Sequence, residues 1–315
     1  MLVFLVRRLA FFVVALFVAS VLIFALIRLA GGNVAAVILG KAAKPEAIDQ
    51  LMTELGLNRP LPVQYLDWVT GMLQGDLGRS YRTGEPVASL LLGRLPVSVP
   101  LALGGMILAI LVAVPVGTYA ATKAGTPIGA FVTMLSQVGI AVPVFWAGVL
   151  LSLIFGVHLG ILPTGGWTPW STSVSGALTS LILPMVALGV VMAATLSRYT
   201  RTAVMDVMNE DYVRTARATG MTRREALFRV GVRNASLPLV TVVGLLTAEL
   251  VGGTVIIEEV FSLPGLARMI LGAVSARDVI VVQSTVMVVV AFVMVVNLIV
   301  DILYGVLDPR VRVAR

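Results

Sequence analysis

Long stretches without any charged residue dominate this chain. Charge is absent between Arg94 and Lys123, between Lys123 and Arg198, and between Asp278 and Asp301. Charged residues make up 12% of the 315 residues, whereas a soluble domain carries roughly 25% because its surface meets water. A helix that crosses a bilayer needs ~20 consecutive, mostly apolar residues. The sequence therefore predicts an all-α membrane protein that crosses the bilayer several times.

Six segments have the length and apolarity of a membrane-spanning helix. The interval between Lys123 and Arg198 holds two of them, since the Gly and Pro residues of 160–169 mark a loop inside it. Pro100, Pro115, Pro143 and Pro184 predict kinks, because each proline removes a backbone hydrogen-bond donor. The predicted spans are residues 4–29, 97–122, 128–156, 178–196, 237–257 and 281–306.

Two loops are long enough to have a structure of their own. Residues 31–95 separate the first span (1–30) from a core of five spans (96–315), and apolar residues at helical spacing predict two short helices in this cap. The loop of residues 199–235 contains seven arginines, no proline and two glycines, and Arg198 directly before it is an eighth arginine. This composition predicts a basic helical hairpin. Fourteen of the 23 Lys and Arg residues lie on the side of this hairpin and of both termini. The positive-inside rule places that side in the cytoplasm.

Several classes of function are excluded by missing residues. The chain has no cysteine and one histidine, His158, so thiolate or histidine-rich metal sites are not expected. It contains no Gly-x-x-x-x-Gly-Lys-Ser/Thr loop for ATP and no hydrolase motif, so no enzyme activity is predicted. The formal net charge of +7 follows from the positive-inside bias. Membrane lipid, rather than nucleic acid, is therefore the expected contact.

The basic hairpin carries the most informative motif. It reads NEDYVRTARATG over 209–220 and VRNASLP over 232–238. These segments resemble the coupling loop of binding-protein-dependent importers, and more narrowly that of the B-type permeases of the dipeptide, oligopeptide and nickel transport family. The general pattern is Glu-Ala-Ala, three residues, Gly, and a later Ile-x-Leu-Pro. Here Arg214 replaces Glu, Thr215 replaces the first Ala, Ala216 and Gly220 are in register, and Pro238 comes five residues late.

Other segments are similar to the same family over essentially the whole chain. They are LGLNRPLPVQY at 55–65, GDLGRS at 75–80, GILPTGG at 160–166, EEVFSLPGLA at 258–267 and DPR at 308–310.

This resemblance implies the type I fold of ABC importer permeases, with six transmembrane helices in the inner membrane. It also implies a second permease subunit forming a heterodimer, two cytoplasmic ATPase domains that bind ATP and Mg, and an extracytoplasmic solute-binding protein. The chain itself would hold no cofactor and would translocate dipeptides, oligopeptides, nickel chelates or similar solutes by alternating access. Contact with an ATPase would involve the coupling residues Asp211, Arg214, Thr215, Ala216, Arg217, Gly220 and Met221.

The sequence by itself permits three alternative interpretations. From charge alone, the arginines of the hairpin fit contacts with lipid headgroups as well as contacts with an acidic partner. A secondary transporter driven by ions or protons would use broken helices and internal repeats, and no clear repeat is present. A purely structural membrane scaffold is the third alternative.

Three glutamates are candidates for the substrate pathway. Glu249 lies about 12 residues past Leu237, or ~18 Å into its span, where a charge costs ~2.5–3.5 kcal/mol unless it faces protein or water. It is predicted to line the pathway, to pair with the partner permease, or to stay protonated between helices. Glu258 and Glu259 are predicted at the outer interface, where they are solvated or contact substrate or the binding protein.

Overall fold

The computed structural model describes residues 2–30, 34–40 and 43–307. Its regular structure is helical apart from one isolated antiparallel bridge between Arg79 and Pro86. The helices are α1 (Leu2–Ala30), α2 (Val34–Leu39), α3 (Pro45–Glu54), α4 (Leu61–Leu73), α5 (Val87–Thr122), α6 (Pro127–Ala141), α7 (Val144–Leu151), α8 (Val174–Met208), α9 (Asp211–Ala218), α10 (Arg223–Ala226), α11 (Val232–Val260), α12 (Leu266–Ser275) and α13 (Val279–Leu307). Two π-helical segments, Ser152–His158 and Leu227–Gly231, continue α7 and α10.

Helices α1, α5, α8, α11 and α13 are long and apolar enough to cross a membrane. A sixth crossing is formed if α6 and α7, with its π-helical continuation, count as one span bent by 100°. The kink predicted at Pro143 is therefore confirmed, as a break between α6 and α7. Pro143 is the N-cap of α7 and follows Val142 in an extended conformation, because proline has no N–H to continue the helical ladder.

Two spans extend well beyond their predicted limits. Helix α5 begins at Val87 and α8 continues to Met208, whereas the apolar stretches predicted 97 and 196. Apolarity marks only the part of a helix that lies in hydrocarbon, while the helical backbone continues as long as its side chains can pack. The end of α8 does pack, since Val204, Val207 and Met208 are buried.

The described residues form two compact units, of which the larger comprises Ser98–Leu263 together with residues 296–307. In this larger unit, α8 packs against α6, α7 and α11. Small residues bring the backbones close together. A Cβ atom on Gly117 would lie 2.5 Å from the Ser197 carbonyl oxygen and 2.6 Å from Thr200 Cβ. The helices of this unit therefore depend on glycine for their spacing.

The smaller unit comprises Leu2–Val97 and Pro264–Val295. Phe24, Trp68 and Met287 form one of its buried clusters, and the Trp68 Nε1–H donates to Ser284 Oγ at 3.2 Å. The two short helices predicted in the 31–95 loop are confirmed as α3 and α4. The apolar helices α2 and α12 were not predicted, because six and ten residues are too few to stand out as spans.

Candidate coupling surface

Helix α9 is an amphipathic helix at the tip of the basic hairpin. Its Val213 is 0% exposed, and Tyr212 and Ala216 pack beside it. The apolar cluster that receives them is built from α5, α8 and the rest of the hairpin. Its buried members are Ala121, Val204, Val207, Met208, Val213, Ala226, Leu227 and Ala235. One face of α9 is thus held by the larger unit's own core.

The opposite face of α9 is exposed and mostly polar. Asp211, Arg214, Thr215, Arg217 and Ala218 all lie on the surface. Arg214 Nη1 lies 3.4 Å from Asp211 Oδ1 across one helical turn. Because both side chains are mostly exposed, this ion pair stabilises the helix by only a few tenths of a kcal/mol. The charges of this face are therefore available to a partner.

The end of α9 is a Schellman turn that requires glycine. The Gly220 N–H donates to the Arg217 carbonyl at 3.1 Å, and the Met221 N–H donates to the Ala216 carbonyl at 3.3 Å. Gly220 has a φ of +100°, which L-residues with a Cβ adopt only at a cost. The glycine of the motif thus has a defined structural role, which is to reverse the chain after α9.

A capping box begins α10 immediately after this turn. The Glu225 N–H donates to Thr222 Oγ1 at 3.3 Å, and the Thr222 N–H donates to Glu225 Oε2 at 2.9 Å. The hydrogen bonds from the backbone and hydroxyl of Thr222 lower the pKa of the Glu225 carboxyl. The Schellman turn and the capping box together define the angle between α9 and α10.

A side-chain hydrogen bond ties α9 to the start of α11. The Asn234 Nδ2–H donates to the Tyr212 hydroxyl oxygen at 2.8 Å. Since Val213 packs in a cluster with Val204, Val207 and Met208 of α8 at the same time, α9 is attached to two membrane-spanning helices. This is the mechanical arrangement that a coupling element needs.

The structure divides the seven predicted coupling residues into two groups. Ala216 and Met221 pack, partly buried, against the apolar cluster. The other five are exposed, namely Asp211, Arg214, Thr215, Arg217 and Gly220. The family motif does not single out Val213, Tyr212, Thr222 or Glu225. The T-x-x-E spacing over 222–225 is the signal that would have revealed the capping box.

The three candidate pathway glutamates lie in different environments. Glu249 is exposed on α11, and so is Glu259. Glu258 is only 1% exposed, and its Oε1 accepts a hydrogen bond from Ser98 Oγ at 2.5 Å. The expectation that Glu258 is solvated is therefore wrong. It lies one helical turn after buried Thr254, so the rotation of α11 turns it inward.

Comparison with known families identifies the chain. Residues 105–313 match the family described as binding-protein-dependent transport system inner membrane component, and residues 1–102 match the N-terminal region of such membrane components. The chain belongs to this family. It is 36% identical to the oligopeptide transport system permease protein AppB of Bacillus subtilis (strain 168), over 98% of this chain and 99% of AppB. It is 35% identical to the dipeptide transport system permease protein DppB of Escherichia coli (strain K12), over 99% of both chains.

A solved structure confirms the predicted fold class. A chain of the MetNI methionine ABC transporter, in a structure of its inward-facing conformations, aligns with a TM-score of 0.55 and 14% identity. The alignment covers 70% of this chain and 96% of the MetNI chain. The chain is thus a multi-pass membrane protein with the fold of an ABC importer permease, and nothing supports the alternative of a secondary transporter.

Proposed function

We propose that this chain is one permease subunit of an ATP-driven importer that carries peptides across the cytoplasmic membrane by alternating access. The observation that carries this proposal is the construction of α9. The helix is anchored on its own chain through Val213 and presents small and basic residues to the outside. The names of full-length relatives such as AppB and DppB support peptides as the transported class.

The proposed partner at α9 is a cytoplasmic ATPase domain. Ala218 and Gly220 let another backbone approach closely, while Arg214 and Arg217 offer guanidinium groups to carboxylates of the partner. Two such ATPase domains would bind ATP and Mg and carry out hydrolysis. Their closure and opening would move α9, and through Val213 and Tyr212 would bias the permease between its two states.

The remaining parts of the machine follow from the same family. A second permease subunit would complete a heterodimer, with lipid around it, and a solute-binding protein would deliver the peptide. Both termini and the hairpin would be cytoplasmic, since most Lys and Arg residues lie on that side. Residues 31–95 would then form an extracytoplasmic cap between the first span and the core of 96–315.

Glu249 is the candidate for contact with substrate. It is exposed on α11 at a depth where a charge in lipid is costly, so in the assembled importer it would face the pathway or the partner permease. Loss of uptake in Glu249→Gln, with assembly and ATPase activity retained, supports the pathway role. Unchanged uptake excludes it. Glu259, also exposed, would lie near the outer entrance.

The proposed function is tested by a pull-down of the tagged chain in mild detergent, with mass spectrometry of stoichiometric partners. The expected result is an ATPase, a second permease and a solute-binding protein. In the Thr215→Trp variant, the indole would lie on the exposed face of α9, where the ATPase is proposed to bind. The ATPase should then be missing from the recovered partners. Thr202→Trp makes the same change at an exposed position of α8 and should retain it. Recovery of the chain alone, or only with copies of itself, contradicts the proposal.

A further inference from the structure

A small polar cavity lies in the larger unit, between α5, α6 and α8. Its volume is about 40 Å³, whereas one water needs roughly 10–15 Å³, so it has room for a group of a few non-hydrogen atoms. Gln137 and Arg198 on its wall are exposed, so a ligand can reach it from the surface of the protein. The wall is formed by Gly117, Ala120, Thr133, Ser136, Gln137, Ser197, Arg198 and Arg201.

The groups that this wall offers to a ligand are mainly hydrogen-bond donors. Its three hydroxyl groups already donate to backbone carbonyls of their own helices, at 2.6–3.1 Å. The Gln137 amide and the guanidinium groups of Arg198 and Arg201 form no hydrogen bond or ion pair with the other described residues. The Arg201 Nε is enclosed by protein, so a ligand meets the terminal nitrogens of that guanidinium group. A ligand of this cavity is therefore an acceptor.

The two arginines of the wall have no carboxylate near them along the chain. Residues 86–205, which include α5, α6, α7 and almost all of α8, contain no Asp or Glu. None of the described residues that line the cavity is acidic either. A cation would meet two positive charges there, whereas a phosphate group can accept two parallel hydrogen bonds from one guanidinium group. The cavity is thus suited to an anion.

The cavity lies where the apolar part of α8 ends. Arg198 and Arg201 follow closely on the apolar stretch 178–196. Tyr199 of α8 and Tyr119 of α5, next to the cavity, are both exposed, and tyrosines in such positions are typical of the level of lipid headgroups. The positive-inside bias by itself places arginines in loops, so it does not account for two arginines in a cavity between three helices.

The surface of α6 beside the cavity is apolar. Phe131, Leu135 and Val138 are each more than half exposed, and their i, i+4, i+7 spacing places them on one side of the helix. Ser136 and Gln137 of the same helix line the cavity. A molecule with an anionic group in the cavity and hydrocarbon along α6 matches both surfaces, and a phospholipid is built in this way.

We propose that this cavity binds the phosphate group of an anionic phospholipid from the cytoplasmic leaflet. The guanidinium groups of Arg198 and Arg201 and the amide of Gln137 donate to the phosphate oxygens, while the acyl chains cover the apolar side of α6. Basic pockets between membrane helices on the cytoplasmic side hold such headgroups in other proteins. The inference goes beyond the proposed function, because it involves neither the substrate nor the ATPase. It uses only the side of the membrane that the arginines indicate.

Native mass spectrometry of the full chain, purified in detergent and supplied with defined lipids, tests the ligand class. Dioleoylphosphatidylglycerol is the anionic lipid, and dioleoylphosphatidylcholine, with the same acyl chains and no net charge, is its control. One phosphatidylglycerol molecule should be retained per chain at concentrations about tenfold below those needed for phosphatidylcholine, because the choline ammonium would lie beside two arginines with no carboxylate to receive it. Equal retention of the two lipids would overturn the proposal.

A further arm of this experiment distinguishes a lipid headgroup from free phosphate. Inorganic phosphate in large molar excess should not displace phosphatidylglycerol, because it makes no contact with the apolar side of α6. Displacement would mean that the cavity takes free phosphate, and the assignment to lipid would then be wrong.

Variants locate the lipid at the cavity. Arg198→Gln and Arg201→Gln each remove one guanidinium group and should weaken the retention of phosphatidylglycerol by about tenfold or more. Ser136→Leu keeps every charge but fills the cavity, and it should weaken retention to a similar extent. Arg223→Gln makes the same change of charge at an exposed position of α10, outside the cavity, and should leave retention unchanged. Retention that survives Ser136→Leu, or that falls equally in Arg223→Gln, contradicts the assignment, since the lipid would then bind to surface charge alone.

Melting temperatures of the same variants separate lost binding from lost folding. Phosphatidylglycerol should raise the melting temperature of the wild-type chain by mass action, and it should not raise that of the cavity variants. Because Arg198 is exposed, Arg198→Gln should keep the wild-type melting temperature in the absence of lipid.

The same retention measurement on the chain with its copurified partners separates the two proposals. Lipid that is retained by the chain alone and lost in the complex means that a partner subunit covers the cavity, and this result overturns the lipid site. Retention in a preparation that recovers no ATPase or second permease supports the lipid site and counts against the proposed function.

Discussion

Substituting Gly220 would test whether the turn after α9 controls coupling. The backbone at this position has a φ of +100°, and a Cβ atom there would meet nothing within 4 Å. Any cost of a side chain is therefore backbone strain and not a steric clash with neighbours. We expect the series Gly, Asn, Ala, Val to weaken the turn progressively, because Asn tolerates positive φ and a β-branched residue does not.

The magnitude follows from the conformation alone. A residue with a Cβ in the left-handed region costs about 1–2 kcal/mol. Because 1.4 kcal/mol corresponds to a factor of ten, the ratio of formed to open turn should fall by roughly 5–30-fold in Gly220→Ala. Uptake should then be reduced but not abolished, since the apolar anchor of α9 at Val213 is untouched.

Two assays measure this effect. Hydrogen exchange of the α9 amides reports the opening of the turn, and ATP-dependent peptide uptake in proteoliposomes reports coupling. The matched control is Gly252→Ala in the interior of α11, where a Cβ also meets nothing within 4 Å. There the change should be neutral or stabilise the helix by up to about 1 kcal/mol. Gly220→Val with wild-type exchange and uptake would refute the reasoning, and so would Asn and Val variants that are equally impaired.

Three further predictions concern the surroundings of α9 and the spacing of the helices. Val213→Ala removes two carbons from a fully buried site. It should lower the free energy of unfolding by about 2–3 kcal/mol, since each buried CH₂ contributes ~0.8 kcal/mol and a cavity remains. The melting temperature, which should fall, measures this loss. Gly117→Ala would place Cβ 2.5 Å from the Ser197 carbonyl oxygen and should destabilise by about 1–3 kcal/mol, and an unchanged melting temperature would contradict it. The pKa of Glu225 is lowered by the Thr222 N–H and hydroxyl. The stability contributed by this capping box is therefore present above the ordinary pKa of about 4.5, and it is lost as the pH falls through the lowered pKa. Hydrogen exchange in the first turn of α10 should therefore speed up on acidification relative to the intrinsic rate. Glu225→Gln, which keeps an acceptor but does not titrate, should remove this dependence.

The membrane-spanning architecture could be predicted from the sequence because the bilayer imposes its requirements locally. A charge-free stretch of sufficient length must be a helix wherever lipid surrounds it, so α1, α11, α13 and the apolar parts of α5 and α8 were placed correctly. The helical hairpin was predictable for a local reason too, since a stretch with no proline and two glycines permits helix. The family motif also singles out Gly220, although the motif does not reveal the Schellman turn that requires a glycine there.

Other features depend on contacts between residues far apart in the sequence. Glu258 and Glu259 are adjacent and chemically identical, yet Glu258 is buried with Ser98 and Glu259 is exposed, because only the packing of α11 decides which face turns inward. A pocket of the smaller unit is likewise lined by both Arg28 and Gln283, and no local pattern relates the two. The sequence by itself therefore determined the class of protein, the apolar segments able to cross a membrane and the position of the hairpin, which depend on composition and periodicity along the chain. Only the tertiary structure decided the 100° size of the bend between α6 and α7, the buried anchor of α9 and the burial of Glu258, because these depend on how the helices pack.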